Sequence, residues 1–286
     1  MTRDLIYLDG NFTPRTEARV SVEDRGFLFG DGVYEVIRVV RGRLFAADFH
    51  NERLERSLKG IDIALPHPVA RLTEVASQLL RDNGLLDGEA TVYMQVTRGV
   101  ATRSHAYPTA AVSPTVYVSA AAFKPMTEFQ KTGALAITQP DLRWGRCDLK
   151  TINLLPNVMA AQQAVAKGAF ESVLIRDGRI TEGSRTNVFG VVGNSLRTHP
   201  CNTRILPGIT RAVVEKLCAE LKIDIDETPI RIDEIPSLRE MFLSGTTTDV
   251  MPIVKLDGRP VGSGKPGEIT LRLQKVLDDE IYARGN

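Results

Sequence analysis

Strand-forming runs in this 286-residue chain come in clusters, and helical runs do not alternate strictly with them. VYEVIRVV (33–40), TVYMQVTR (91–98) and TVYVSAAAF (115–123) are rich in β-branched and aromatic residues. Asp9-Gly10, after IYL, and Arg41-Gly42, before RLFA, mark tight turns. Helices are predicted over about 48–61, with Phe49, Leu54, Leu58 and Ile61 near one face, and over about 69–83, ending at Gly84. This grouping argues for an α+β architecture and against a doubly wound parallel sheet.

The polar stretch KPMTEFQKTG (124–133), punctuated by proline and glycine, is the expected interdomain linker. It leaves a smaller N-terminal α/β domain over 1–123 and a larger C-terminal domain over 134–286. In the second domain the pattern predicts a strand at 134–138, a helix near 157–167 and a hairpin at Asp177-Gly178. A helix from about Thr210 to Leu221, a strand at 241–248 running into a turn, and a closing helix near 268–283 follow.

Composition narrows the function classes. Thirty-six basic residues balance 35 acidic ones, so the formal net charge of +1 gives no reason to expect nucleic acid or an anionic membrane as partner. Any charged ligand must be met by local placement of charge. Three cysteines suggest a reducing compartment without a disulfide framework. The opening MTRDLIYLDGNF lacks the long apolar core of a signal peptide, and no apolar run approaches a bilayer span; a cytoplasmic protein is expected. The four histidines are scattered and none has metal-ligand spacing, so no metal site is expected.

Several local constellations could carry chemistry. GDG (30–32) lacks the third glycine of a dinucleotide fingerprint and precedes strand formers, which favours a tight turn entering a strand. LPGITRAVVEKL sets Gly208, Ile209 and Thr210 at a helix start, where free N–H groups and the dipole favour an anion. LSGTTTD places Gly245 and three threonines, Thr246 among them, directly after a strand, a second possible anion nest. A phosphate held by both needs an arginine, and HNERLERS offers Arg53 and Arg56. Lys150, between an extended run and a helix, would become a nucleophile toward carbonyls if buried. Glu182 could face a ligand from a sheet end. Arg98, Arg103 and His105 fall on a strand end and its loop, and arginine is shaped to grip a carboxylate. Taken singly, each fits an ordinary turn, helix start or solvated surface, and for Arg53, Arg56 and Lys150 the surface reading ranks first.

Together, in order, they resemble fold-type IV pyridoxal-phosphate enzymes, and within these the D-amino-acid aminotransferases. The resemblance runs through DRGFLFGDGVYE, HNERLERS, TRGVATRSHAYP, RCDLKTINLLPNVMA, TEGSRTNVFG, LPGITR and SGTTTD. It implies that Lys150, in the C-terminal domain, holds pyridoxal 5'-phosphate as a Schiff base and moves protons. It implies that Glu182 pairs with the pyridine nitrogen, and that Arg53, Ile209, Thr210 and Thr246 hold the phosphate. Tyr34, Arg103 and His105 would receive the substrate carboxylate, the last two being the feature that separates the D-amino-acid branch from its relatives. The implied reaction is ping-pong transamination between a D-amino acid, such as D-alanine or D-glutamate, and a 2-oxo acid, in a homodimer whose loops are shared between subunits. Two positions depart from the pattern: Arg185 stands where a small residue is expected, and Gly245 where a hydroxyl is common. Rival readings are a branched-chain or (R)-amine transaminase, an aminodeoxychorismate lyase, or a non-catalytic binding protein that keeps the fold.

Overall fold

Alternation along one strand, β5 (Glu89–Thr97), sets out the first layer of the structure. Ala90, Val92, Met94 and Val96 are buried in an apolar core, while Thr91, Tyr93 and Gln95 face the other way. The structure, a computed structural model, describes residues 4–193 and 195–283. The start of the expected non-signal opening, residues 1–3, lies outside them. The chain divides into two compact units, Met1–Lys124 with Leu149–Leu154, and Pro125–Asp148 with Leu155–Asn286.

The first unit contains β1 (Leu5–Leu8), β2 (Asn11–Pro14), α1 (Arg25–Phe29), β3 (Gly32–Val40) and β4 (Arg43–Leu44), then α2 (Ala47–Gly60), α3 (Ala70–Asp82), β5 and β6 (Thr115–Ala122). Its six strands run in the order β2-β1-β6-β5-β3-β4, every pair antiparallel. Both predicted turns close hairpins, with Asp9 and Arg41 at positive φ. Helices α2 and α3 cover one face: Leu54 and Leu58, then Leu72, Val75, Ala76, Leu79 and Leu80, pack on the inward residues of β3, β5 and β6. Outside the helical face Tyr34, Tyr93 and Tyr117 form a row, with ring centroids 5.7 and 6.0 Å apart.

The buried stripe of α2 is His50, Arg53, Leu54, Ser57 and Leu58. It starts one residue later than the sequence suggests, and Phe49 is exposed. Three of these five are polar, so each needs a partner in the core. Glu35, on the inward parity of β3 and fully buried, accepts from Arg53 Nε at 2.6 Å and Nη2 at 2.8 Å, and meets His50 Nδ1 at 2.7 Å. Burial alone would raise the Glu35 pKa, but the charge and hydrogen bonds of Arg53 and His50 win and hold it at about 2. Burial holds His50 below its ordinary value, although Glu35 pulls it upward.

The second unit contains α4 (Thr127–Thr132), β7 (Ala134–Pro140), α5 (Leu155–Ala166), β8 (Glu171–Arg176), β9 (Arg179–Gly183), β10 (Asn187–Val192) and β11 (Ser195–Thr198). It continues with α6 (Ile209–Glu220), β12 (Ile225–Asp226), β13 (Glu240–Gly245), β14 (Asp249–Leu256), β15 (Arg259–Pro260) and α7 (Glu268–Tyr282). Its mixed sheet has the order β12-β11-β10-β13-β14-β7-β8-β9, with β15 beside β14. Val173, Val188, Leu243, Met251 and Ile253 lie in its core. No helix among the described residues is long and apolar enough to cross a membrane.

Two expectations about domain limits meet a different structure. The expected linker contains α4, because Thr127–Thr132 can close a short helical turn that ends at Gly133 with positive φ. Lys150, expected in the C-terminal domain, belongs by its contacts to the first unit. Its segment pairs with the free edge of β3: Tyr34 N donates to Lys150 O and Ile152 N to Gly32 O, each at 3.0 Å, around a Val33–Thr151 bridge.

Two substitutions test this packing. Leu79→Ala, at a fully buried position, is expected to cost about 2–5 kcal/mol in urea unfolding; a loss below about 1 kcal/mol would contradict the core described. Glu35→Gln is expected to cost about 3–5 kcal/mol at pH 7, because it leaves the Arg53 charge buried without its carboxylate. The depressed Glu35 pKa makes its contribution complete above the unfolded value of 4.5 and lost as pH falls toward 2. The variant should therefore show a shallower stability loss between pH 4.5 and 2, and an unchanged slope there would refute the assignment.

Candidate functional site

In the first unit, backbone geometry brings Lys150 to the outward face of β3. Its own N–H donates to Ser57 Oγ at 3.2 Å, so α2 holds the segment as well. The side chain then reaches back over Tyr34, with Nζ 4.1 Å from the ring centroid. The half-buried lysine is thus placed against an aromatic face that stabilises a cation. Arg53 sits one helical turn from Ser57, and Glu35 fixes its guanidinium through two parallel bonds. Lys150 thus borders Tyr34 on the outward face of β3, while Arg53 meets Glu35 on the helical face, the two linked through Ser57 of α2. Burial, with Tyr34 and Tyr117 close by, pushes the Tyr93 phenol pKa upward and keeps it neutral.

The loop after β5 carries Arg103 and His105, both exposed. Both lie against Phe29, the last residue of α1: the Arg103 guanidinium carbon is 5.2 Å, and the His105 ring 5.7 Å, from its centroid.

In the second unit, Glu182 lies at the end of β9 and is 5% exposed. It is paired with Arg143 Nη1, accepts from Asn187 Nδ2 at 2.9 Å, and receives Leu206 N at 3.1 Å on each oxygen. Burial pushes its carboxyl up to about 7 and Asp141 adds to the rise, while Arg143 and the Leu206 N–H pull it down. Arg143 is itself clamped by Asp141, which accepts from its Nε and Nη2 at 2.9 Å. Burial opposes the Arg143 charge, yet Asp141 and Glu182 hold its pKa above the ordinary value.

Asn187 links Glu182 to the two expected anion cradles. It stands opposite Ser244 in the β10–β13 ladder, and its Nδ2 also donates to Leu206 O at 2.9 Å. A Cβ on Gly208 would come within 2.0 Å of Asn187 Oδ1, so only glycine allows α6 to start this close. Gly208 caps α6 without any side-chain bond to the helix N–H groups, leaving Ile209 and Thr210 at its first positions. Next to the Gly245–Thr246 turn, the buried Ser244 Oγ has no hydrogen-bond partner among the described residues. A buried hydroxyl without a partner, beside uncapped helix N–H groups, is a donor set suited to an anion. It also supplies a hydroxyl next to Gly245, where the sequence lacked one.

Arg185 turns toward β8. Its Nη2 donates to Phe170 O at 3.3 Å, its Nε lies 4.0 Å from Glu171, and its side chain is 56% exposed. The buried Glu171 carboxylate organises this turn, accepting from Ser184 N at 3.1 Å and Thr186 Oγ1 at 2.9 Å. Sequence reasoning missed Glu35, Ser57, Arg143, Asn187, Ser244 and Glu171. Glu35 carried a signal, as a lone charge on the inward parity of an apolar strand; Arg143 carried none, since its partners come from distant segments.

Comparison with known proteins identifies the family of the chain. The family model described as amino-transferase class IV matches residues 32–256. The D-alanine aminotransferase of Bacillus licheniformis is 42% identical over 278 residues, 97% of each chain. That of Staphylococcus aureus (strain COL) is 40% identical over 276 residues, 96% of this chain and 97% of its own. Among solved structures, the T.th. branched-chain amino acid aminotransferase with pyridoxamine 5'-phosphate superposes with a TM-score of 0.89 at 26% identity, covering 99% of this chain and 95% of its own. The branched-chain enzyme from Escherichia coli gives 0.87 at 26% identity over 97% and 94%. The family match spans most of the chain and the sequence relatives span nearly all of it: the protein belongs to the class IV aminotransferases.

Proposed function

We propose that this protein is a pyridoxal-phosphate-dependent aminotransferase that moves an amino group between a D-amino acid, such as D-alanine or D-glutamate, and a 2-oxo acid. The placement of the Lys150 amine against Tyr34, fixed by backbone bonds to β3, carries this reading. The family resemblance assigns the cofactor phosphate to Arg53 in the first unit and to Ile209, Thr210 and Thr246 in the second; within the second unit the uncapped α6 start and the Ser244 hydroxyl, with no hydrogen-bond partner among the described residues, suit an anion. Glu182 would meet the pyridine nitrogen, and a cationic partner there would draw its carboxyl back to the ionised form. When bound, the cofactor supplies an electron sink for the charge left at the substrate α-carbon.

The chain's own groups do the rest. Lys150 Nζ attaches the cofactor, then accepts the α-proton and returns it, serving as nucleophile and as general acid and base. Tyr34 borders that amine and restricts its approach to one face. Arg103 has no ion-pair partner among the described residues, so its fork of donors can take a carboxylate. With His105 two residues on, it favours amino acids over simple amines. The curated relatives are named for D-alanine, which supports the D-amino-acid branch over the branched-chain one. The protein works as a homodimer in this reading. Leu155, Val158 and Met159 on α5, each more than half exposed at helical spacing, offer an apolar face of the kind that subunits cover.

Borohydride reduction followed by peptide mapping tests the assignment: the label is expected on Lys150, and label on another lysine would sink it. Lys150→Ala should abolish the yellow chromophore and reduce turnover by about 10³-fold or more. D-Alanine should be used in strong preference to L-leucine and (R)-phenylethylamine; the reverse order would replace the D-amino-acid reading with a branched-chain or amine one.

A further inference from the structure

The loop that carries Arg103 and His105 is fastened at several points to the segment before β3. Arg25 N donates to Gly99 O at 2.9 Å and Ala101 N to Glu23 O at 3.4 Å, around an Asp24–Val100 bridge. The Arg25 side chain, 2% exposed, adds a deeper attachment. Its Nη1 donates to the Ser104 carbonyl at 2.6 Å, on the residue between Arg103 and His105. Its guanidinium carbon lies 4.8 Å from the centroid of Phe29, the ring against which Arg103 and His105 also rest. Arg25 Nε is oriented by Asp31 Oδ2 at 2.7 Å.

Asp31 serves two arginines. It also accepts from Arg98 Nε at 2.8 Å and Nη2 at 3.0 Å. Arg98 donates to the carbonyls of Ile61 and Asp62, and its guanidinium carbon stacks 3.6 Å from the Tyr107 ring centroid, further along the same loop. Burial would raise the Asp31 pKa, but the two arginines hold it below the usual range, so the shared anion persists across the working pH range. Asp31 thus accepts three donors from Arg25 and Arg98, two on Oδ2 and one on Oδ1. The buried Asp24 carboxylate, bonded by Gly26 N, Thr97 Oγ1 and Thr115 Oγ1, adds a second anion at the base of the loop.

We propose that Arg25 is a positioning residue for recognition of the substrate carboxylate: by holding the Ser104 carbonyl and stacking on Phe29, it sets Arg103 and His105 on one ring. This rests on the D-amino-acid reading above. The clamp is built within one chain, and it acts on the loop whichever protomer's substrate that loop meets. A flexible loop presenting the same two side chains would lose part of its binding free energy to ordering. Because the α-carbon chemistry belongs to Lys150, loosening the clamp weakens binding more than turnover.

Arg25→Met keeps an apolar stack on Phe29 and removes every donor; Arg25→Lys keeps the charge but cannot reach Asp31 and Ser104 in the same fork geometry. With holoenzyme, KM for D-alanine and the inhibition constant of propanoate are expected to rise together, by roughly tenfold or more in R25M and by less in R25K. kcat should stay within about threefold and the absorption of the bound cofactor should not change. Trypsin should cleave after Arg103 several-fold faster in R25M than in wild type, with or without cofactor. An unchanged KM, or a fall in kcat that matches the change in kcat/KM, overturns the proposal, as does an unchanged cleavage rate. If R25M does not fold, R25K alone decides by the same readouts. A wild type that ignores D-amino acids refutes the substrate reading instead, and the cleavage rates still judge the clamp.

Discussion

Two backbone hydrogen bonds to the edge of β3 decide where the Lys150 amine can be. Tyr34 N to Lys150 O and Ile152 N to Gly32 O make residues 150–152 a short extra strand beside the first half of β3, while β4 pairs with its second half. A lysine side chain has many rotamers, and ordering it costs up to about 2 kcal/mol. Placing its backbone by strand pairing, and its stem by an aromatic face, removes most of that freedom before any ligand arrives. The period of two then assigns the neighbours. Tyr34 goes to the side of Lys150, and Glu35 goes to the helical side, where α2 must answer it. The answer is the polar half of the α2 stripe: His50 and Arg53 for Glu35, and Ser57 for the Lys150 N–H.

That arrangement explains why so much charge is buried. Glu35 with Arg53, Asp31 with Arg25 and Arg98, and Glu182 with Arg143 and Asp141 are all largely withdrawn from water. Buried ion pairs of this kind return little net stability, because desolvation offsets most of their attraction. Their worth lies in direction. A guanidinium held by two parallel bonds cannot rotate, and a carboxylate with several donors cannot turn away. Each of these carboxylates fixes an arginine or is fixed by one, and each set lies beside a residue proposed to touch cofactor or substrate. The same stability could be had from apolar packing; the same geometry could not.

Much of this was open to reading in the sequence, for physical reasons. The hairpins at Asp9-Gly10 and Arg41-Gly42 follow from residues that tolerate positive φ, and α3 and α6 follow from strong periodicity with a clear stop or start. The Gly208 start of α6 and the Ser244–Thr246 turn stand out because their local chemistry is anion-like whatever surrounds them. What stayed hidden was long-range. No local pattern says that 149–154 pairs with β3, that Arg143 meets Glu182 across 39 residues, or that Arg25 reaches Ser104 across 79. The helix at Thr127–Thr132 was hidden differently: its composition is that of a linker, and six residues give too little periodicity to read. Arg185 was ambiguous in sequence because its position beside Glu182 suggested the ligand, whereas the buried Glu171 and the Phe170 carbonyl draw it the other way.

The contrast between Arg53 and Arg103 separates two tasks that arginine performs here. Arg53 is buried and doubly bonded to Glu35, and for the constant ligand group proposed for it a single fixed orientation suffices. Arg103 is exposed on a loop against the Phe29 ring and has no ion-pair partner among the described residues, which suits the proposed capture of a carboxylate. The first kind of site tolerates no variation, since any change leaves Glu35 uncompensated in the core. The second can be altered by loop residues without disturbing Glu35, Lys150 or Glu182. In this chain the Arg25–Asp31–Arg98 cluster ties that loop to the segments around β3, which would let an exposed arginine discriminate without being buried.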